Sequence, residues 1–229
     1  PPPPPPPPPP FFFQAHHAIR DSSTSRGLGD VYKRQIDANA EGVSKVCYPM
    51  MDAQRVANIT FDNVQLGASG LLGTEGGALS VVYDLVNEAL IALASEAVGI
   101  MGTLNAKTLE YTKTREQFGV AISSFQALQH RMVDTMMAYE QAKSLLFKAL
   151  CEYKIDPASV EATIHALKVL IDRNGKLIYG EAIQMHGGMG ITDELDIGHY
   201  AKRLMMINAT LGDGTFHRSK FIESTYAAA

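Results

Sequence analysis

The spacing of apolar residues changes once along this chain, and the change divides it. Between positions 36 and 72 the apolar positions alternate. In residues 57–61, Ala57, Ile59 and Phe61 alternate with Asn58 and Thr60, the period of a half-buried strand, and residues 43–48 form a second β-prone run. Two strands make no stable sheet by themselves, so partner strands are expected outside the chain. From Gly73 the period lengthens to between three and four. Residues 74–114 can carry one long helix, entered through Gly76 and Gly77. It is rich in small residues (Ala92, Ala94, Ala97, Gly99, Gly102) that allow close helix packing.

After Arg115, Phe118 and Gly119 read as the C-terminal stop of that helix. Ser123 with Gln126 three residues on has the spacing of a capping box that opens the next. There Phe125, Leu128, Met132, Met136, Tyr139, Leu146 and Ala149 fall on one face. Asp156 followed by Pro157 signals a third helix, N-cap then first helical position. It places Val160, Ile164, Leu167, Leu170, Ile171 and Ile178 on one side, and Glu161, His165, Lys168, Asp172 and Lys176 on the other, and stops at His186, Gly187 and Gly188. A shorter helix over about 196–210, a turn at Gly212, Asp213 and Gly214, and a terminal helix complete the pattern. Four main helices with short connections predict an all-α fold, an antiparallel up-down four-helix bundle with a short β remnant at its N-terminal side.

Composition narrows the classes of function. The 229 residues are 46% hydrophobic, enough for one sizeable core, and a net charge of -4 argues against a general nucleic-acid or membrane-surface binder. An anionic ligand must be met by local positive groups or helix ends. Cys47 and Cys151 have no CxxC spacing and read as reduced thiols, which suggests a cytoplasmic location. The most apolar run, residues 89–104, is shorter than a bilayer span and carries Glu96, so it reads as a core helix with no membrane span.

Residues 1–35 stand apart. Ten prolines and three phenylalanines resemble translated homopolymer tracts, and SRGLGDVYKRQ (25–35) resembles a transposon-end sequencing adapter read in frame. The segment is set aside as a disordered artefact, and a missing N-terminal portion is expected.

Chemistry-bearing motifs are few. His130, His165, His186, His199 and His217 show no metal-ligand spacing, so no metal site is expected, and no GxSxG elbow, Walker loop or paired-carboxylate pattern occurs. The glycine-rich segment Gln184 to Gly190 follows a helix, not a strand. It is either a helix cap and tight turn, or bare backbone that lets an extended ligand lie close while Gln184 offers an amide. Arg115 is either a solvated cation at a helix end or a partner for phosphate. Asp213 is either, like Thr215, a cap for the terminal helix or a reactive carboxylate.

Taken in order, RxxFG (Arg115, Phe118, Gly119), FQ (Phe125, Gln126), QxxGGxG (Gln184, Gly187, Gly188, Gly190) and GT (Gly214, Thr215) resemble the C-terminal helical domain of the acyl-CoA dehydrogenases. The resemblance covers residues 36–229. It implies a remnant of the family's middle β domain over 36–72 and the helical bundle domain over 73–229. It further implies FAD as cofactor, an acyl-CoA substrate bound near Gly214, an electron-accepting flavoprotein or similar acceptor, and a homo- or hetero-oligomer. Arg115, Phe118 and Gln126 would reach the FAD of a neighbouring subunit, Gln184, Gly187 and Gly188 would line the dinucleotide tail, and Thr215 would sit near FAD. Asp213 is in the place of the family's catalytic base, usually a glutamate and so one methylene longer. Some relatives take the base from the first long helix, in whose corresponding region lies Glu88. No lysine or arginine lies between Arg55 and Lys107, so the usual basic contact to the CoA phosphate from that helix is absent. The implied activity is α,β-dehydrogenation of an acyl-CoA thioester. The alternative is a non-catalytic helical subunit or assembly module in which Asp213 is a cap.

Overall fold

Alternation in the first part of the chain and the helical period in the second are both realised. The computed structural model describes residues 33–34, 36–65, 67, 71–72, 78–157 and 159–226. They fall into two units, divided between Val86 and Asn87. In the first, β1 (Lys33–Arg34) pairs with β4 (Leu71–Leu72), and β2 (Val43–Pro49) pairs antiparallel with β3 (Arg55–Phe61) in the register Val43 to Phe61 through Pro49 to Arg55. Ile59 and Phe61 are 47% and 56% exposed, because a two-stranded ribbon offers no second layer to cover the face that their alternation was expected to half-bury. Lys33 and Arg34 are the described part of residues 1–35. The remainder of that segment and the helix entry at Gly76 and Gly77 lie outside the described residues.

The second unit is a bundle, and its cross-contacts set the direction of each helix. Helix α1 (Ala78–Thr114) meets α2 (Gln126–Ile155) through Glu88 with Tyr153, Gly102 with Tyr139, and Asn105 with the Thr135 carbonyl, so the two run antiparallel. Helix α3 (Glu161–His186) returns antiparallel to α2 through Arg131 with Glu181, Asn174 with the Ala138 carbonyl, and Lys148 with Thr163. Helix α4 (Ile197–Ala209) is antiparallel to α1 through Glu96 with Arg203 and Lys107 with Asp196, and to α3 through Lys168 with Ile207. Helix α5 (Gly214–Tyr226) lies back along α3, with His217 on His165 and Gly214 on Asp172. The core is aliphatic, from Leu90, Met101 and Leu104 of α1 to Ile164, Leu167, Ile171 and Ile178 of α3 and Leu204 and Ile207 of α4. Burial of each such side chain contributes about 1.5–3 kcal/mol.

Small residues set how closely the helices approach. Ala94 and Ala97 are fully buried, and a Cβ on Gly102 would lie 3.1 Å from the Tyr139 ring, whereas Ala92 and Gly99 face outward. By length and composition α1 could also cross a membrane, but its core positions are buried within this unit.

Two helical faces differ from the sequence expectation. On α2 the buried stripe is Thr135, Ala138, Ala142, Leu146 and Ala149, while Met136 is 60% exposed and Phe125 also faces solvent. Alanines fill the narrow seam against α3, and the bulky methionines are turned out of it. Helix α3 begins at Glu161, not at Pro157. Asp156 instead closes α2, its N–H bonded to the Glu152 carbonyl and its own carbonyl accepting from Ser159, which leaves a short connection before the next helix (Ala158 is outside the described residues). Its expected polar face is interior in its middle: His165 is 7% and Lys168 1% exposed, because α4 and α5 cover that side, while Glu161 and Lys176 stay exposed.

The glycines of α3 and its end give a paired test. A Cβ on Gly180 meets nothing within 4 Å, so Gly180→Ala is expected to raise unfolding free energy by ~0.5–1 kcal/mol through helix propensity. A Cβ on Gly190 would lie 2.6 Å from the Ile183 carbonyl oxygen, so Gly190→Ala should lower it by ~1–3 kcal/mol. Urea denaturation of the two variants checks both signs.

Candidate functional site

The connection between α1 and α2 is built on backbone that only a tight hairpin requires. Helix α1 ends at Thr114, and β5 (Glu116–Gln117) folds back on β6 (Val120–Ala121) with Phe118 and Gly119 between them at φ +56° and +79°. Two successive left-handed residues are the signature of the hairpin turn whose twist matches its strands. Phe118 and Gly119 are therefore a hairpin tip and not the helix stop that their order suggests. The capping box is likewise replaced. Ser123 lies in a 3-10 turn (Ile122–Ser124), the N-cap of α2 is Phe125 with no side-chain cap bond, and Gln129 donates to the Ser123 carbonyl at 2.9 Å. The hairpin leaves Phe118 92% exposed, edge-on to Phe125 at 6.1 Å. Arg115 is exposed, and no carboxylate pairs with it among the described residues; Gln126 is the first, exposed residue of α2.

A buried contact fixes the C-terminal end of α3 beside this connection. The rings of Tyr111 and His186 stack at 4.2 Å, and the Tyr111 hydroxyl donates to the His186 carbonyl at 3.3 Å. The His186 Nδ1 hydrogen is directed to the Ala182 carbonyl at 2.7 Å, and the side chain is 4% exposed. The ends of α1 and α3 are thereby held at one end of the bundle, which brings Arg115, Phe118 and Gln126 to the same end as Gln184, Gly187 and Gly188. Gly187 takes φ +59° to end α3, and a Cβ at Gly187 or Gly188 would meet nothing within 4 Å, so this backbone is open. Tyr111 and His186 were not singled out as functional from sequence, since an aromatic contact across 75 positions leaves no local pattern.

Asp213 lies elsewhere. Its Oδ1 accepts from the Phe216 N–H at 2.8 Å and its carbonyl from the His217 N–H at 3.0 Å, so it caps α5, and its side chain is exposed. Gly214 is buried against α3, where a Cβ would come within 2.5 Å of Asp172 Oδ2, and Thr215 is exposed on the first turn. From Asp172 to His186 is roughly 20 Å along α3 at the helical rise per residue, so Asp213 and the Gln184 end are separate places on one bundle. The Glu88 carboxylate accepts from the Tyr153 hydroxyl on α2. An open groove of about 700 Å³ on α2 and α3, lined by Met137, Gln141, Lys148 and Leu170 among others, includes none of these residues.

Beneath the Asp213 turn lies a buried polar cluster. Lys168 Nζ donates to the carbonyls of Ile207 (2.6 Å), Thr210 (2.9 Å) and Asn208 (3.4 Å). Burial lowers its pKa to about 8, against the opposing pull of Asp172 and Asp213, so the ammonium form persists at neutral pH. His217 Nε2 lies 3.0 Å from the Leu211 carbonyl, which can only accept, so this nitrogen carries the hydrogen. His217 Nδ1 then accepts from His165 Nδ1 at 2.9 Å, and His165 Nε2 lies 3.6 Å from Glu161.

Residues 76–223 match the family model described as the C-terminal domain of acyl-CoA dehydrogenase. The chain belongs to the acyl-CoA dehydrogenase family. It is 30% identical over 145 residues to the short-chain specific acyl-CoA dehydrogenase of Megasphaera elsdenii, covering 63% of this chain and 37% of that one. It is 32% identical over 155 residues to the acyl-CoA dehydrogenase IpdE2 of Mycolicibacterium smegmatis, covering 68% of this chain and 44% of that one. Its fold is that of the solved structure of PigA with FAD and proline, with a TM-score of 0.79 at 24% identity over 86% of this chain and 52% of that one. The chain thus spans about two fifths of the length of the curated relatives.

The buried histidine gives this acyl-CoA dehydrogenase domain an acid-sensitive point. Burial first, then His165 and Lys168, lower the His217 pKa from 6.5 to about 3, partly opposed by the Leu211 carbonyl and Asp213. As pH falls through 6.5 the unfolded chain takes up a proton that the folded one refuses, so this contribution to stability is complete above 6.5 and is lost towards 3. His217→Gln should make the slope of unfolding free energy with pH in that window shallower by about one proton, or ~1.4 kcal/mol per pH unit. Urea titrations at a series of pH values measure it.

Proposed function

We propose that the chain is the helical part of an FAD-dependent acyl-CoA dehydrogenase that oxidises an acyl-CoA thioester between its α and β carbons. The observation that carries this reading is the Asp213 carboxylate. One oxygen is held by the Phe216 N–H, and the other takes no hydrogen bond among the described residues, so a fixed base has an open face. In the reaction the Asp213 carboxylate takes the α-proton, and the electron pair of that C–H bond becomes the new C=C bond. The β-hydrogen leaves with its pair as hydride. Bound FAD would supply the two-electron acceptor that no side chain offers, to be reoxidised by an electron-accepting flavoprotein or similar acceptor.

The residues at the far end of the bundle fit such a cofactor. The exposed guanidinium of Arg115, with no carboxylate partner among the described residues, suits a pyrophosphate, Phe118 presents an open ring, Gln126 and Gln184 supply amides, and Gly187 and Gly188 leave backbone N–H groups approachable. PigA, of the same fold, is solved with FAD. These groups point outward from their own bundle, which favours a cofactor shared with a second subunit. Thr215, one residue past Gly214, is exposed beside Asp213 and suits a contact to the same ligand. The second reading, a non-catalytic subunit, is favoured by the one feature that Asp213 has without any ligand, its role as helix cap.

Anaerobic flavin reduction separates the two. In the complete protein carrying this chain, an acyl-CoA should bleach the flavin, and Asp213→Asn, which keeps a cap oxygen, should slow bleaching at least 1,000-fold with FAD retained. Bleaching at the wild-type rate would remove Asp213 as the base. Gly188→Ala probes the cofactor end: with open space around its Cβ, the variant should keep its melting temperature and bind FAD at least tenfold more weakly in a flavin-fluorescence titration.

A further inference from the structure

We propose that Lys168 is a positioning residue: its buried ammonium, acting with the His165–His217 pair, fastens the turn of residues 210–214 to α3 and so fixes the direction of the Asp213 carboxylate. The inference rests on Asp213 being the base.

Three residues at successive turns of α3, His165, Lys168 and Asp172, converge on this turn and the helix ends beside it. Lys168 collects the carbonyls of Ile207, Asn208 and Thr210 where α4 ends, the groups a helix C-terminus otherwise leaves to solvent or a glycine cap. His165 directs its Nδ1 hydrogen to His217 Nδ1, and His217 directs its Nε2 hydrogen to the Leu211 carbonyl. Asp172 lies so close to Gly214 that no Cβ fits between them. The turn itself is held in an uncommon shape, with Leu211 at φ +57° and Gly212 at φ +105°, and a Cβ on Gly212 would lie 2.4 Å from the Phe216 ring. A non-glycine residue in the left-handed region persists only where its surroundings over-determine it.

A buried lysine costs desolvation, and an aliphatic residue at position 168 would serve the bundle core as well. What the ammonium adds is direction, because its three donors are matched to three carbonyls at the base of one turn. Asp213 lies within that turn, and the bonds its carboxylate and carbonyl accept from the Phe216 and His217 amides are set by the turn's path.

The Phe216 amide, bonded to the Asp213 carboxylate, and the His217 amide, bonded to the Asp213 carbonyl, report the residue's position without any need for turnover. Hydrogen exchange of the complete protein should show the Phe216 and His217 amides exchanging at least tenfold faster in Lys168→Met, with amides in the middle of α2 and α3 at wild-type rates. Lys168→Arg should restore at least part of the protection. In the flavin-loaded protein the same Lys168→Met should lower kcat at least tenfold and leave KM for acyl-CoA within about twofold. Unchanged exchange at Phe216 and His217 overturns the proposal, even if activity falls, and so does an equal loss of protection throughout the bundle. Should Lys168→Met not fold, His217→Gln removes the second fastening and must raise exchange at Phe216, or the proposal is overturned. Absence of flavin reduction by any acyl-CoA in the wild-type protein would instead remove the dehydrogenase reading, and the exchange result would still decide the fastening.

Discussion

Helix α3 is the element on which the others depend, and the burial of its flanks against α2, α4 and α5 is the constraint that shapes them. A helix packed by α2 on one flank and by α4 and α5 on another keeps only a stripe through Arg173, Lys176, Gly180 and Gln184 in solvent, so polar side chains on its packed flanks must find partners inside. Asn174 reaches the Ala138 carbonyl of α2, Lys168 the carbonyls at the end of α4, and His165 the ring of His217 on α5. Each of these three buried polar residues thus specifies a neighbour, and the aliphatic residues between them supply the burial energy.

This arrangement explains why the two chemical regions differ in character. The turn at Asp213 is anchored from below, so a carboxylate can be exposed and still have a fixed direction. At the other end the Tyr111–His186 contact ties the ends of α1 and α3, and the side chains of Arg115, Phe118 and Gln126 are exposed. An outward guanidinium, an outward aromatic ring and open glycine backbone make little sense as parts of a closed pocket within one chain. They make good sense as one wall of a site that another surface completes.

Helix number, order and direction were legible in the sequence because long apolar periods and glycine-rich breaks are local signals. The ends of α3 and α4 could be read for the same reason. Phe118 and Gly119 were misread because a glycine after a helix looks alike whether it caps the helix or turns a hairpin, and the two-residue strands beside it are too short to show a period. The start of α3 was displaced because an Asp-Pro pair signals both a helix start and the end of the one before. The polar face assigned to His165 and Lys168 failed for another reason: hydrophobicity measures what a side chain prefers, while their burial is set by partners some 40–50 positions away. The candidate residues could be picked out as an ordered set, while their exposure could not, since it depends on which face each helix turns to its neighbours.

The account stands on the claim that the exposed end formed by Arg115, Gln126 and Gln184 meets a flavin. Measuring the flavin content of the complete protein, purified without added cofactor and analysed at its native oligomeric state, tests this most directly. The account predicts about one FAD per subunit, released on dissociation of the oligomer into monomers. A properly folded oligomer with no flavin, and none taken up from excess FAD, would contradict it.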